Sequence, residues 1–207
     1  AGRGYEDFVQ KVLRGYNETP IISRKVADFI SHILDADTVC HIVDPYCGYG
    51  GLLTGMITSP SHEEKKRLWG YDRDPLMRQT AKLNLILHGY NEGKIERSGD
   101  ANYYYQQKYD LMVCCIKPGQ NTESDIRYAL SLLMYEGKAA LVVSDEILQK
   151  EQYFYTRREM TERATVAAII SLPVGAVRIG NKQQKTSIVV LSNGRPQDAQ
   201  TETLLAQ

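Results

Sequence analysis

The chain has 207 residues, and 25 Lys+Arg balance 25 Asp+Glu, so its formal net charge is zero. Hydrophobic residues make up 43% and charged residues 24%, which excludes a disordered chain, because disorder combines low hydrophobicity with high net charge. The same balance argues against a globally basic nucleic-acid binder and leaves only a local basic groove or a basic partner. No stretch approaches the roughly 20 consecutive apolar residues of a membrane helix, and no charged region followed by an apolar run marks a signal peptide. The expectation is a cytoplasmic protein that does not enter a membrane.

In chain order, Glu6–Arg14 reads as a short helix punctuated by Gly15. Thr19-Pro20 reads as a helix opening, with Thr as cap and Pro in the first turn. Behind it Ile22, Val26, Phe29, Ile30 and Ile33 form one apolar stripe ending near Leu34. Strands are expected at Val39–Asp44, Arg67–Tyr71, Lys94–Arg97, Asp110–Cys115, Lys138–Val143, Val166–Ser171 and Thr186–Leu191. Helices fall between them at Leu52–Ile57, Pro75–Leu87, Ala101–Gln107 and Glu123–Leu133, with another at Thr156–Arg163. This alternation predicts an α/β fold with a mostly parallel sheet covered on both faces. Pro173–Lys185 is poor in helix formers, so the last two strands are expected to pair antiparallel at the sheet edge. The organisation expected is one domain over 1–207: an N-terminal helical segment (1–34), an α/β core (39–192) and a polar tail (193–207).

The four cysteines, Cys40, Cys47, Cys114 and Cys115, lack the spacing of a zinc site and read as reduced thiols. His32, His41, His62 and His88 form no ligand set, so no metal is expected; His88 is assigned to supporting the turn at Gly89. Tyr103, Tyr104 and Tyr105 are either a stacking surface or the packed start of a helix. Lys65-Lys66-Arg67 and Arg157-Arg158 read as solvated element ends; DNA contact would need them on one face with Lys117.

The first strand runs into Asp44-Pro45-Tyr46-Cys47-Gly48-Tyr49-Gly50-Gly51, where a doubly wound sheet has its ligand crevice. The second strand ends in Gly70-Tyr71-Asp72, an acid about twenty positions past the glycines. Asp72 can accept hydrogen bonds from a ribose, or it can cap the helix opening at Asp74-Pro75. Together these features point to an adenosine-containing cofactor.

Those segments, with Ala81-Lys82-Leu83-Asn84-Leu85 before His88-Gly89, Gly99-Asp100, Gly137–Val143, Ile169–Pro173 and Lys185-Thr186, resemble the methylation subunits of type I restriction–modification systems, the adenine-N6 DNA methyltransferases. The resemblance spans roughly residues 17–192. It implies a three-layer, Rossmann-like methyltransferase fold, with a seven-stranded sheet whose last strand is antiparallel, and S-adenosylmethionine (SAM) as cofactor. It places the methionine end of SAM against Thr19, Pro20, Asp44, Pro45, Cys47, Gly48 and Gly50. Asp72 is placed on the ribose hydroxyls, Asp100 near the adenine amine, and Cys114 at the strand end beside the cofactor. It also implies a protein partner within a larger DNA-modifying complex, with weak DNA contact by this chain alone.

One part of the pattern departs. Where the family has Asn-Pro-Pro-Phe/Tyr, whose asparagine oxygen and first proline carbonyl accept from the target amine, this chain has Cys115-Ile116-Lys117-Pro118. A thiol cannot replace an amide oxygen as acceptor, and Lys117 brings positive charge to a centre that already carries it. The leading expectation is a SAM-binding domain without adenine-N6 transfer. Two others stand beside it: a methyltransferase with another acceptor, Cys115 itself being one candidate nucleophile, and an interaction subunit whose cofactor space is filled by Tyr46 or Tyr49.

Overall fold

The structure, a computed structural model, describes residues 2–13, 19–57, 67–98, 108–179, 182–194 and 204–206. In chain order its elements are α1 (Gly2–Leu13), β1 (Pro20–Ile22), α2 (Arg24–Ile33), β2 (His41–Asp44), α3 (Gly51–Gly55), β3 (Arg67–Asp72), α4 (Pro75–Leu87), β4 (Lys94–Arg97), β5 (Tyr109–Ile116), α5 (Thr122–Ser131), β6 (Leu133–Ser144), α6 (Asp145–Gln149), α7 (Phe154–Arg163), β7 (Thr165–Ser171), β8 (Val177–Ile179), β9 (Lys182–Gln184), β10 (Thr186–Ser192) and β11 (Leu204–Ala206). The expected helix at Ala101–Gln107, Tyr103–Tyr105, Gly99, Asp100, His62, Lys65 and Lys66 lie outside the described residues.

The main sheet has the order β11-β7-β10-β6-β5-β2-β3-β4. Strands β4, β3, β2, β5 and β6 run parallel, while β10 is antiparallel to both β6 and β7. Side chains alternate across this sheet with period two. Ile42, Leu68, Leu111, Val113 and Val142 join Val26, Ile30, Leu53 and Leu85 on the α2–α3–α4 side. Val43, Met112, Leu141 and Val143 join Ile126, Leu130 and Met160 on the α5–α7 side. Burial on both faces is why the strands read as unbroken apolar runs rather than as alternating ones.

Three expectations are corrected. Thr19-Pro20 does not open a helix: Pro20–Ile22 pairs antiparallel with Val177–Ile179, β8 pairs with β9, and the helix begins after Ser23. The Ser23 amide donates to the Ala176 carbonyl at 3.0 Å, so a partner 153 positions away in sequence fixes the backbone that local propensity assigned to a first turn. The last two expected strands do pair antiparallel, but β10 lies inside the sheet between β6 and β7 rather than at its edge. Finally, the polar tail contributes β11, parallel to β7.

Helix α4 forms as the sequence dictates. Asp74 caps it by accepting from the Leu76 amide at 2.8 Å, Pro75 opens it, and Gly89 at φ +91° follows its end; such a cap is worth about 1 kcal/mol. Helix α1 lies against α4 and β1, packing Val9 and Leu13 on Ile21, Tyr49 and Met77. It also buries the Glu6 carboxylate 3.7 Å from both Arg24 and His88. Burial pushes the Glu6 pKa up, and Arg24 and His88 pull it part of the way back. Among the described residues no helix is long and apolar enough to cross a membrane.

Candidate functional site

In the parallel part of the sheet the chain crosses from β2 outward to β3 and β4, then returns to β5 on the other side of β2. That reversal opens a crevice at the carboxyl ends of β2 and β5. A cleft there is bordered by Pro20, Ile22, Asp44, Tyr46, Cys47, Gly48, Tyr49 and Cys115, among others, and encloses about 20 Å³, the room of one water.

The loop after β2 is held from three sides. Asp44 is buried and accepts from the Tyr46 amide at 3.0 Å. The Gly48 amide donates to Asp72 at 3.0 Å, and the other Asp72 oxygen accepts from the Asp74 amide at 2.8 Å. Asp72 is therefore the brace between the glycine loop and β3, and Asp74, not Asp72, caps α4. A carboxylate has about four acceptor sites, so Asp72 keeps capacity for further donors. From below, Asn84 of α4 is wholly buried and donates to the Tyr49 carbonyl at 3.1 Å. Its neighbour one turn on, His88, bonds the Asn84 carbonyl at 2.9 Å and faces Glu6, a role wider than the turn support expected of it. The loop needs glycine where it turns: Gly48 has φ +51°, and Gly50 at φ +82° sits so close to α4 that a Cβ would come within 3.2 Å of the Ala81 side chain.

Neither loop tyrosine faces solvent freely. Tyr49 is 2% exposed and donates to the Ile22 carbonyl at 3.1 Å, turning its phenol toward β1 and α1. Tyr46 donates to the Asp125 carbonyl of α5 at 3.1 Å and packs near Tyr128. Burial and the neighbouring Asp125 push the Tyr46 phenol pKa up, so it stays a donor.

The electrostatics are those of an acid without a base. Burial pushes the Asp44 pKa up to about 8, against the pull of the Tyr46 amide and with a further push from Asp72. Among the described residues no lysine or arginine borders the cleft. Burial, then Asp44, also pushes the Cys115 thiol up to about 12, which Lys117 only partly offsets. At neutral pH Cys115 is therefore a thiol and not a nucleophilic thiolate.

Of the residues singled out from sequence, Pro20, Asp44, Cys47, Gly48 and Cys115 meet at the cleft. Thr19 reaches Met77 with its hydroxyl and lies against Gly48 with its methyl, and Asp72 joins through Gly48. Pro45 is buried within the loop. Cys114 does not join them: successive residues of β5 point to opposite faces, so Cys114 lies wholly buried in the α5-side core while Cys115 meets the cleft. Ile116 is buried. The segment from Lys117 and Pro118 into α5 is stitched by Thr122, whose hydroxyl accepts from the Gly119 amide at 2.8 Å and lies 3.1 Å from the Lys117 carbonyl. Sequence reasoning missed Asn84 and Asp125 as loop supports. A lone asparagine on the buried stripe of α4 was a signal for the first; Asp125, 79 positions from its partner, had none.

Residues 14–118 match the profile of the N-6 DNA methylase family. Over 89 residues, 42% of this chain and 15% of the relative, it is 33% identical to the type I restriction enzyme MjaVII methylase subunit of Methanocaldococcus jannaschii. Among solved structures it is similar to the type I restriction–modification methyltransferase subunit of Streptococcus thermophilus, with a TM-score of 0.78 and 15% identity over 99% of this chain and 51% of that one. It is also similar to a SAM-dependent O-methyltransferase of Thermotoga maritima, with a TM-score of 0.63 and 15% identity over 94% of this chain and 73% of that one. The fold is thus the Rossmann-like fold of SAM-dependent methyltransferases. The chain spans about half the length of the Streptococcus subunit and less than a fifth of the archaeal one.

Proposed function

The chain belongs to the N-6 DNA methylase family, and from that premise we propose that it binds SAM, does not transfer methyl groups to adenine N6, and acts as a module of a larger assembly. The observation that carries this is a braced Asp44–Gly50 loop beside a strand end with no amide acceptor.

SAM fits the chemistry of the loop. It is cationic at its sulfonium and its ammonium, and Asp44 is a buried acid whose cleft is bordered by no lysine or arginine among the described residues; a cationic ligand relieves the cost that keeps this carboxyl protonated. Asp72, fixed by two backbone amides, presents its remaining acceptor capacity to a ribose. Thr19, Pro20, Gly48 and Gly50 would line the methionine end. When bound, SAM supplies an electrophilic methyl carbon and a neutral thioether leaving group.

What this chain lacks is the group that receives a proton's positive charge from an attacking amine. Cys115 is a neutral thiol and a poor acceptor, and Lys117 raises the positive charge at that end. Positioned hydrogen-bonding groups are worth about 3–4 kcal/mol each in a transition state, so losing one slows adenine transfer about 10²–10³-fold and losing more than one takes it below useful turnover.

A second reading is favoured by one observation, the narrowness of the cleft with Tyr46 and Tyr49 on its wall: an interaction subunit that holds no cofactor. Isothermal titration with SAM separates the two. The proposal expects micromolar binding that Asp72→Ala weakens by about tenfold or more. Absence of heat at millimolar SAM, with binding gained in Tyr46→Thr, supports the second reading. The relatives named as methylase or methyltransferase subunits suggest a partner protein, which co-purification with the adjoining subunits would identify.

A further inference from the structure

Helix α1 meets the glycine loop along two paths. Directly, Val9 and Leu13 pack with Tyr49, and the Gln10 side-chain amide donates to the Tyr49 hydroxyl at 3.5 Å. The second path runs through α4: Glu6 faces His88, His88 bonds the Asn84 carbonyl, and the Asn84 side chain donates to the Tyr49 carbonyl. The two helices touch closely here, since a Cβ on Gly2 would lie 2.8 Å from the His88 ring and 2.7 Å from the Leu87 carbonyl.

The second path is one proton short. A carbonyl only accepts, so the His88–Asn84 bond puts a hydrogen on Nδ1. A neutral His88 then turns a bare Nε2 toward Glu6 Oε2, 3.7 Å away, and an ionised Glu6 is acceptor-only as well. Two such groups attract only when a proton lies between them. Glu6 is 4% exposed, and Glu6 Oε1, His88 Nε2 and Arg24 Nη1 are buried without a hydrogen-bond partner among the described residues. Arg24 does not settle the balance. It lies 3.7 Å from Glu6, but its Nε is committed to Asp28 at 2.7 Å, so one guanidinium serves two carboxylates. A proton on the Glu6–His88 pair brings Glu6, Asp28, Arg24 and His88 together to zero net charge. Burial pushes the Glu6 carboxyl up, Arg24 and His88 pull it back, and Asp28 and Asp7 push it further. The loop feels the same charge: burial, then Glu6, pushes up the Tyr49 phenol.

We propose that α1 is a strap on the glycine loop whose seating takes up one proton, shared between Glu6 and His88. With the proton in place α1 holds Tyr49 and the loop; when the proton leaves, α1 lifts and the loop loosens. Because the Glu6 carboxyl is raised above its ordinary 4.5, this contribution is present at low pH and lost as pH rises through the titration of the pair. Its consequence for ligand affinity rests on the SAM site proposed above. The seating itself does not, and it is measured without ligand.

The test is amide hydrogen exchange by NMR on the ligand-free chain between pH 5 and 9, corrected for intrinsic rates, with the His88 ring signals followed in the same samples. Protection at Val9–Leu13 and at Gly48 and Gly50 is expected to fall about tenfold, with the midpoint at which the His88 ring titrates. In Glu6→Gln and His88→Gln the fall at α1 is abolished, while His32→Gln, a change at an exposed histidine of α2, keeps it. Asp44 titrates in every variant and so does not account for the difference. Should neither variant fold, the shared midpoint in the unmodified chain decides. Protection at α1 that is constant with pH, a fall that persists in both variants, separate midpoints for His88 and α1, or loosening of α1 with the loop amides still protected would each overturn the strap. The expected results without any SAM binding would support it and contradict only the SAM reading.

Discussion

Asp44 is costly to the folded chain, and that cost is measurable. In the unfolded chain its carboxyl titrates near 3.8, while burial holds it at about 8 in the folded one. Between those values the folded state holds a proton that the unfolded state has released, so the contribution of Asp44 to stability is greatest below about pH 4 and is lost as pH rises through about 8. Thermal melts from pH 5 to 9 are expected to show this decline, with Asp44→Asn flattening it by an amount on the order of several kcal/mol. An unchanged slope in Asp44→Asn would assign the pH dependence to other groups. At this scale the site was legible in sequence where its parts are contiguous. Asp44 through Gly50 could be read as a loop because glycines, an acid and a strand end stand side by side. The Tyr46–Asp125 bond and the turning of Cys114 into the core were not legible, because the first joins distant segments and the second depends on where a strand's register starts.

Elements with their own punctuation were readable to the residue: Pro75–Leu87 carries its cap and proline, and Lys94–Arg97 its flanking glycine and turn. Strands β1, β8 and β9 were not, since three residues carry no period and each exists only through its pairing with the others. The same reason misassigned Pro20. Helix α4 does more than cover the sheet, because Asn84 ties it to the loop carbonyl of Tyr49. Asn84→Ala removes that donor and leaves a carbonyl unsatisfied, with an expected cost of about 1–3 kcal/mol in chemical denaturation and weaker SAM binding. A variant that loses stability but binds SAM as tightly as before would show that the loop does not depend on α4. Thr122, buried at the head of α5, does for the Lys117–Gly119 segment what Asn84 does for the glycine loop.

For the whole molecule, alternation of strands and helices gave the class of the sheet, but not the order in which the last strands enter it. Strand β10 pairs with β6 in register from Thr186↔Ser144 to Ser192↔Lys138 and with β7 on its other side, a position that no local pattern specifies. This order leaves the parallel strands β2, β3 and β5 with their carboxyl ends at one edge, and so brings Asp44, Asp72 and Cys115 to one crevice. On the proposed function, this crevice holds a cationic adenosyl ligand while the strand end at Cys115–Pro118 lacks the acceptors that would position an amine to take its methyl group. One measurement addresses both halves of that statement. The chain is incubated with SAM labelled in its methyl group and with adenine-containing DNA, and label is counted separately on the protein and on the DNA. The account predicts label retained by the protein, displaced by unlabelled SAM, and none on the DNA. Label accumulating in the DNA with repeated turnover would contradict it.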